Sequence, residues 1–418
     1  MKVLIVGKGG REHALAWKIS QGEKISKIYV APGNPGTEEL GVNVPIDECD
    51  IISLADFAQE NNIDLTVVGP ESSLALGIAD EFKKRNLKIF APTAASAKIE
   101  SSKDFAKEIM KKYNIPTAAY STFTELFSAK DYVKKMGAPI VIKEDGLCAG
   151  KGVTVAETLE EAMEALESAF SKGENRVVIE EKLEGFEFSL IALVHGELVI
   201  PLDAAQDHKR AYNGDKGPNT GGMGVYSPVD RIDANIIRET MKEIMVPMAK
   251  ALSKEGIPFT GFLFGGIMLT DSGVKTIEFN ARFGDPEAEA ILPRLENDLL
   301  EVILGLLKGN LSELSWDKRY TLGAVMASEN YPLSSTLGAE IKVGNLSSET
   351  LLFHMGTSKD SFGNLVTGGG RVLIPIVFGD TLNQAKQRVY EELRKINCKK
   401  LFFRDDIGSK SCYNDGNI

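Results

Sequence analysis

Short apolar runs rich in β-branched residues alternate with stretches of helical period along the first part of the chain. VLIV (3–6), KIYV (27–30), LTVV (65–68) and KIF (88–90) read as strands. The segments beginning at Arg11 and Ser53, and those near 73–85 and 94–112, read as helices. Such alternation predicts a parallel, doubly wound sheet. Asn114-Ile115-Pro116 closes this unit, because proline disfavours helical geometry in the residue before it.

A different texture follows. PIVIK (139–143), VTVAE (153–157), RVVIEE (176–181), FSLIALV (188–194) and ELVIP (197–201) are strand-like, while Leu159, Met163, Leu166 and Phe170 recur with helical period behind a Thr158/Glu161 capping box. The expectation is a small antiparallel sheet carrying one helix. A glycine-rich loop (203–228), a long helix, the strand pair FLFGGIML and KTIEFN, and a helix near 287–308 come next. From Tyr320 the chain reads as mostly strands with a helix from Leu382 to Lys395, and it ends in a polar segment expected to be disordered. The fold class is a mixed α/β and α+β multidomain protein, divided at 1–115, 116–192, 193–320 and 321–408, with a tail at 409–418.

Composition narrows the function classes. A chain of 418 residues suits about three domains at ~100–200 residues each. Its 40 glycines exceed the usual share of about 7% and point to ligand loops lined by backbone. The net charge of −11 argues against sequence-independent nucleic-acid binding, which needs a basic surface, yet leaves room for a small anion in a locally basic cleft. The first apolar run is too short for a signal peptide and passes directly into a glycine turn, and no stretch is long and apolar enough to span a membrane. Cys49, Cys148, Cys398 and Cys412 are scattered without CxxC spacing, which fits neither a disulfide framework nor a usual zinc site. The cytoplasm is the expected compartment.

Several motifs carry chemistry. GKGGREHAL (7–15) is a glycine turn between strand and helix, and reads either as an anion site at a helix N-terminus or as a tight turn of no chemical role. The second strand ends Tyr29-Val30-Ala31-Pro32 without the carboxylate that a nicotinamide site wants, so a dehydrogenase is disfavoured. GLCAGKG (146–152) fails as a Walker loop in spacing and in its Gly152, and strands flank it on both sides. It reads as a hairpin tip, a flap laying N–H groups on phosphates rather than a bare turn. Lys143 ends an apolar strand, either reaching a phosphate or merely solvated. VVIEEKLEG (177–185) can present backbone to a base edge, and Glu187 can meet ribose hydroxyls; an acidic strand end is the plain alternative.

In IEFNARFGDPEAE (277–289) the period-two alternation puts Glu278, Asn280 and Arg282 on one face, with Ile277 and Phe279 toward the core. A carboxylate and a carboxamide are hard oxygen ligands for magnesium, which completes its shell with nucleotide phosphates and water. Arg282 would face charge developing on a transferring phosphoryl group. The long loop 204–228 keeps Tyr212, Met223 and Tyr226 among its glycines and reads as a substrate loop rather than as disorder.

Taken together, GKGGREHAL, APGNPGT, GPESSLALGIAD, GLCAGKGV, QDHKRAYNGDKGPNTGGMG, IEFNARFGDPE and the late RDDIG closely resemble the phosphoribosylamine–glycine ligase (glycinamide ribonucleotide synthetase) family. The resemblance runs in order from residue 1 to about 408. It implies an ATP-grasp fold: a Rossmann-like domain (1–115) on the phosphoribosylamine side, a lid (116–192), a central catalytic part (193–320) and a C-terminal domain. It also implies ligation of glycine to 5-phosphoribosylamine with ATP and Mg²⁺ or Mn²⁺, by a monomer or weak dimer that engages neither nucleic acid nor membrane. On this chain it makes Glu278 and Asn280 the metal ligands. Lys103, Lys143, Gly150, Lys151, Gly152, Glu180, Glu181, Leu183 and Glu187 become nucleotide contacts. Gly9, Gly10, Arg11, Asp203, Lys209, Pro218, Thr220, Gly221 and Gly222 line the substrate side with Arg282, and Lys143 and Arg282 act in catalysis. Asp203, Asp207 and Asp215 are alternative partners for the glycine amino group. Another ATP-grasp carboxylate–amine ligase and a catalytically silent nucleotide-binding protein are the competing readings.

Overall fold

The computed structural model describes residues 1–147, 152–171, 173 and 176–409. Its first sheet is wholly parallel, in the order Val42–Asn43, Lys27–Pro32, Lys2–Gly7, Leu65–Val68, Ile89–Phe90. Val3 to Val6 are fully buried between the covering helices, as a near-continuous apolar central strand requires. Two expected helices are each broken in two. The first divides at Gly77, in the left-handed region at φ 85°, into Glu71–Ala75 and Ile78–Lys84. The second divides at Ser102, whose extended backbone ends Ala94–Ser101 and whose hydroxyl accepts the Phe105 N–H to start Lys103–Lys112.

The lid is a four-stranded antiparallel sheet in the order Tyr120–Phe123, Val177–Glu181, Ile140–Glu144, Val153–Ala156. Helices Leu126–Met136 and Leu159–Ser171 cover it through Ala129, Val133, Ala162 and Leu166, giving the lid a core of its own. Strand Tyr120–Phe123 and helix Leu126–Met136 were not anticipated; the strand is only half-buried, whereas the helix carries a readable apolar stripe through Leu126, Ala129, Tyr132 and Val133. Thr158 does cap its helix, but Glu161 reaches the Glu157 N–H at 2.7 Å rather than that of Thr158. FSLIALV and ELVIP do not join the lid. Phe186–His195 pairs along its whole length with Thr260–Thr270, so these strands form a second antiparallel sheet with Leu198–Pro201 and Gly273–Asn280. That strand runs unbroken through residue 192.

A third sheet joins Gln206–Asp207 and Gly224–Ser227 to the later strands Tyr320–Ala324, Arg371–Gly379, Met326–Ser328 and Leu401–Phe402, with Leu351–His354 alongside. Helix Leu382–Leu393 packs against it. The long helix after 228 carries a π-turn, Met241–Met245, just before Pro247, whose missing N–H interrupts the regular ladder. The helix near 287–308 is likewise split into Glu287–Ile291, the turn Leu292–Arg294 and Leu299–Leu307. Among the described residues, no helix is long and apolar enough to cross a membrane.

Candidate active site

A cleft of about 1080 Å³ opens between the lid and the second sheet, and most of the chemically distinctive residues line it. Its floor is the end of strand Gly273–Asn280. There the ladder slips: Gly266 faces Glu278 and Ile267 faces Thr276, so Ile277 is an extra residue. The expected alternation is corrected at that point. Phe279 is buried in the core, as expected, but Ile277 is not, and all four residues from Ile277 to Asn280 border the cleft. The extra residue also turns the Ile277 carbonyl to accept the Lys143 ammonium at 2.9 Å.

On the lid side, Lys143 and Lys107 share the carboxylate of Glu180, each at 3.0 Å. All three side chains are no more than 5% exposed. Burial pushes the Lys107 ammonium down to about 8, partly offset by Glu180. Lys103 donates to the carbonyls of Glu144 and Gly146 at 2.8 and 2.9 Å, and so meets the base of the β-hairpin. The N–H of Glu181 is taken by the Ala119 carbonyl, and Glu181 and Leu183 line the cleft. Gly152 lines the cleft as well, while Gly150 and Lys151 lie outside the described residues.

Lys209 connects the loop to the floor, 2.7 Å from Glu187 and 3.7 Å from Glu278. Burial opposes its charge, but Glu187, Glu278 and Asp207 outweigh that and hold the ammonium above its usual range. Burial likewise opposes ionisation of Glu278, yet Lys209, Lys143, Lys103 and Arg282 keep it below the usual carboxylate range. Asp207 behaves oppositely: burial and the neighbouring Glu287 push it well up, with one oxygen lacking a hydrogen-bond partner. Arg282 lies just past the strand, 3.0 Å from Glu100 and 3.4 Å from Glu71, and the Ala281 N–H also donates to Glu100.

Glu278 and Asn280 suit a magnesium-type ion, since they offer two hard oxygens and the carboxylate is held ionised. Among the described residues no group of three or more His, Cys, Asp or Glu side chains could hold a metal, so ligand oxygens would have to complete the shell.

The substrate-side residues divide. Arg11, Lys209, Thr220 and Gly221 line the cleft; Gly9, Gly10, Asp203, Pro218 and Gly222 do not. The Gly9 N–H donates to Glu12 at 2.6 Å and so serves its own helix. Gly10 lets that helix approach Glu289, whose carboxylate a side chain there would strike. Asp203 pairs with buried Arg294 at 2.6 Å, and Pro218 is exposed. Asp215, by contrast, borders the cleft. Lys107, Glu71, Glu100, Tyr331 and Arg371 were missed as cleft residues. Lys107 had a signal, standing four residues after Lys103 on one helix and so on the same face. Arg371, which holds the Gly221 carbonyl at 2.7 Å, had none.

Three family models cover most of the chain: the phosphoribosylglycinamide synthetase N domain at residues 1–100, its ATP-grasp (A) domain at 101–288 and its C domain at 321–410. This chain belongs to the phosphoribosylglycinamide synthetase family. Relatives agree along the full length. A phosphoribosylamine–glycine ligase of Halalkalibacterium halodurans is 51% identical, covering 98% of this chain and 97% of the relative. One from Lactococcus lactis is 46% identical over 98% and 100%. The crystal structure of phosphoribosylamine–glycine ligase from Thermotoga maritima superposes with a TM-score of 0.84 at 32% identity, covering 97% of this chain and 100% of that one. A biotin carboxylase domain from Hydrogenobacter thermophilus, solved with MgADP, shares the fold alone at TM-score 0.73 and 16% identity, over 96% and 91% of the two chains. The family's ATP-grasp domain therefore contains both the lid and the strand that ends at Asn280.

Proposed function

We propose that this chain ligates glycine to 5-phosphoribosylamine, forming glycinamide ribonucleotide, ADP and phosphate, the second step of de novo purine synthesis. One observation carries the reading: Lys143, Glu278, Asn280, Arg282 and the loop residues Lys209, Thr220 and Gly221 all border one cleft beneath the lid. Full-length relatives named phosphoribosylamine–glycine ligase support the same reaction.

The chemistry divides into two displacements. A glycine carboxylate oxygen attacks the γ-phosphorus of ATP and the bond to ADP breaks, giving glycyl phosphate. The amine of phosphoribosylamine then attacks the acyl carbon, the carbon–oxygen bond to phosphate breaks, and the amine loses a proton. Lys143 and Lys107, fixed by Glu180, set positive charge on the nucleotide side, while Arg282 meets the transferring group from beyond the strand. Lys103, Gly150, Lys151 and Gly152 contact the phosphates, Glu180, Glu181 and Leu183 the base side, and Glu187 the ribose. Arg11, Lys209, Thr220 and Gly221 hold the substrates. Mg²⁺ or Mn²⁺, held by Glu278 and Asn280, screens phosphate charge when bound. Keeping water out of the cleft during the reaction would protect the acyl phosphate from hydrolysis. Cys49 and Cys398 are free thiols, in keeping with action in the cytoplasm on small molecules.

The test is ADP release with Mg-ATP and glycine, with and without phosphoribosylamine generated from ribose 5-phosphate and ammonia, followed by product mass. Release that requires every substrate and yields glycinamide ribonucleotide is expected; release independent of glycine would overturn the reading. Asn280→Ala should raise the Mg²⁺ needed for half-maximal turnover about tenfold or more, the equivalent of about 1.4 kcal/mol.

A further inference from the structure

The late RDDIG stretch lies outside the residues to which the reaction assigns a part, yet its side chains are spent on the substrate loop. Residues Arg210–Tyr212 and Lys216–Asn219 form a two-stranded hairpin that, among the described residues, joins no larger sheet. An isolated hairpin of this size is marginal in water and needs an external anchor. This one nevertheless places Arg210, Asp215 and Asn219 on the cleft, between Lys209 on one side and Thr220 and Gly221 on the other.

The anchor comes from the far end of the sequence. Arg404 is 1% exposed and grips Asp406 with two parallel bonds, Nε to Oδ1 at 2.7 Å and Nη2 to Oδ2 at 2.8 Å. Its remaining nitrogen donates to the Arg210 carbonyl at 2.8 Å and to Asp215 at 3.0 Å, one contact at each end of the hairpin turn. Asp406 in turn accepts the Gly214 N–H at 2.8 Å. Asp405 and Asn213 exchange two hydrogen bonds, at 2.6 and 3.1 Å. The Gly408 N–H meets His208 Nε2 at 3.1 Å at the hairpin's root. A planar guanidinium fork suits this task because it satisfies a carboxylate and a carbonyl together in fixed directions, which a lysine does not.

The structure assigns Arg404 and Asp406 as positioning residues of the active site: they hold the hairpin over the cleft so that Lys209, Arg210 and Asp215 face the non-nucleotide substrates. The assignment rests on the proposed ligase reaction. The nucleotide side rests on other elements, the lid strands, helix Lys103–Lys112 and the second sheet, and meets the hairpin only at its root, where Lys209 pairs with Glu187 and Glu278, so the two sides should separate kinetically.

The experiment uses the full chain with Arg404→Lys, which keeps charge but loses the fork, and with Asp215→Asn and Asn213→Ala, which loosen the clasp without burying an unpaired cation. Arg404→Lys and Asn213→Ala, neither of which changes a residue that lines the cleft, should raise KM for glycine or phosphoribosylamine about fivefold or more, with KM for ATP within about twofold. Limited trypsin digestion after Arg210 and Lys216 should accelerate about tenfold or more in all three, with the thermal midpoint little changed. Unaltered KM and cleavage rates, or a uniform fall in kcat that tracks lost thermal stability, would overturn the assignment. If the wild type makes no glycinamide ribonucleotide, the reaction falls while the trypsin rates still judge the clasp.

Discussion

Glu180 illustrates how much depends on single atoms here. One carboxylate serves two buried ammonium groups, so its removal leaves both cations uncompensated, a situation that costs about 3–5 kcal/mol. Glu180→Gln should therefore lower the urea midpoint sharply, and Lys143→Met should lower kcat by about 10²–10³-fold with a much smaller loss of stability. Equal losses in both properties for Lys143→Met would remove it from the chemistry. Glu278 and Asn280 were legible because alternation on a strand is a local rule. The acids that grip Arg282 were not, since Glu100 arrives from 181 residues before Ala281, and only the folded chain brings them together.

At the scale of elements, strands and helix starts followed the apolar pattern well, while interruptions escaped it. The break at Ser102 is a local cap on Phe105 held further by Asp145, and the extra residue Ile277 is set against its partner strand; the first starts the helix at Lys103 and the second aims a carbonyl at Lys143. The loop ending at Gly222 shows a similar constraint. Gly222 has φ 118°, and a Cβ there would stand 2.5 Å from Pro286 and 2.6 Å from Asp207. Gly222→Ala is expected to cost about 1–3 kcal/mol and to raise KM for glycine more than KM for ATP, read by denaturation and initial rates. Its glycine-rich sequence announced a ligand loop, but the need for Gly222 itself lies in its close approach to Pro286 and Asp207.

Across the whole molecule, the first and last domains meet at a pair of histidines. The His354 N–H donates to His13 Nδ1 at 3.0 Å, so His13 is neutral in the fold. Burial, with His354 adding to it, pulls His13 down to about 3, and burial with Lys359 pulls His354 down to about 4. Below pH 6.5 the unfolded chain therefore binds protons that the folded chain refuses, and stability falls as pH falls through that range. A thermal midpoint that drops between pH 7 and 5, with a shallower drop in His13→Asn, is the expected outcome; identical slopes would exclude the pair as the cause. No local pattern foretold this contact, because each histidine sits alone in its own motif.

The third sheet carries a different message. Gln206–Asp207 and Gly224–Ser227 hydrogen-bond into the layer completed by Tyr320–Ala324 and Arg371–Gly379, so the central and terminal portions share backbone ladders rather than a surface. Cutting the gene between Leu307 and Tyr320 would thus yield two incomplete halves, not two modules. Expressed separately they should be insoluble, and co-expressed they should restore each other, which makes this connection a natural place for a split reporter and a poor one for domain exchange.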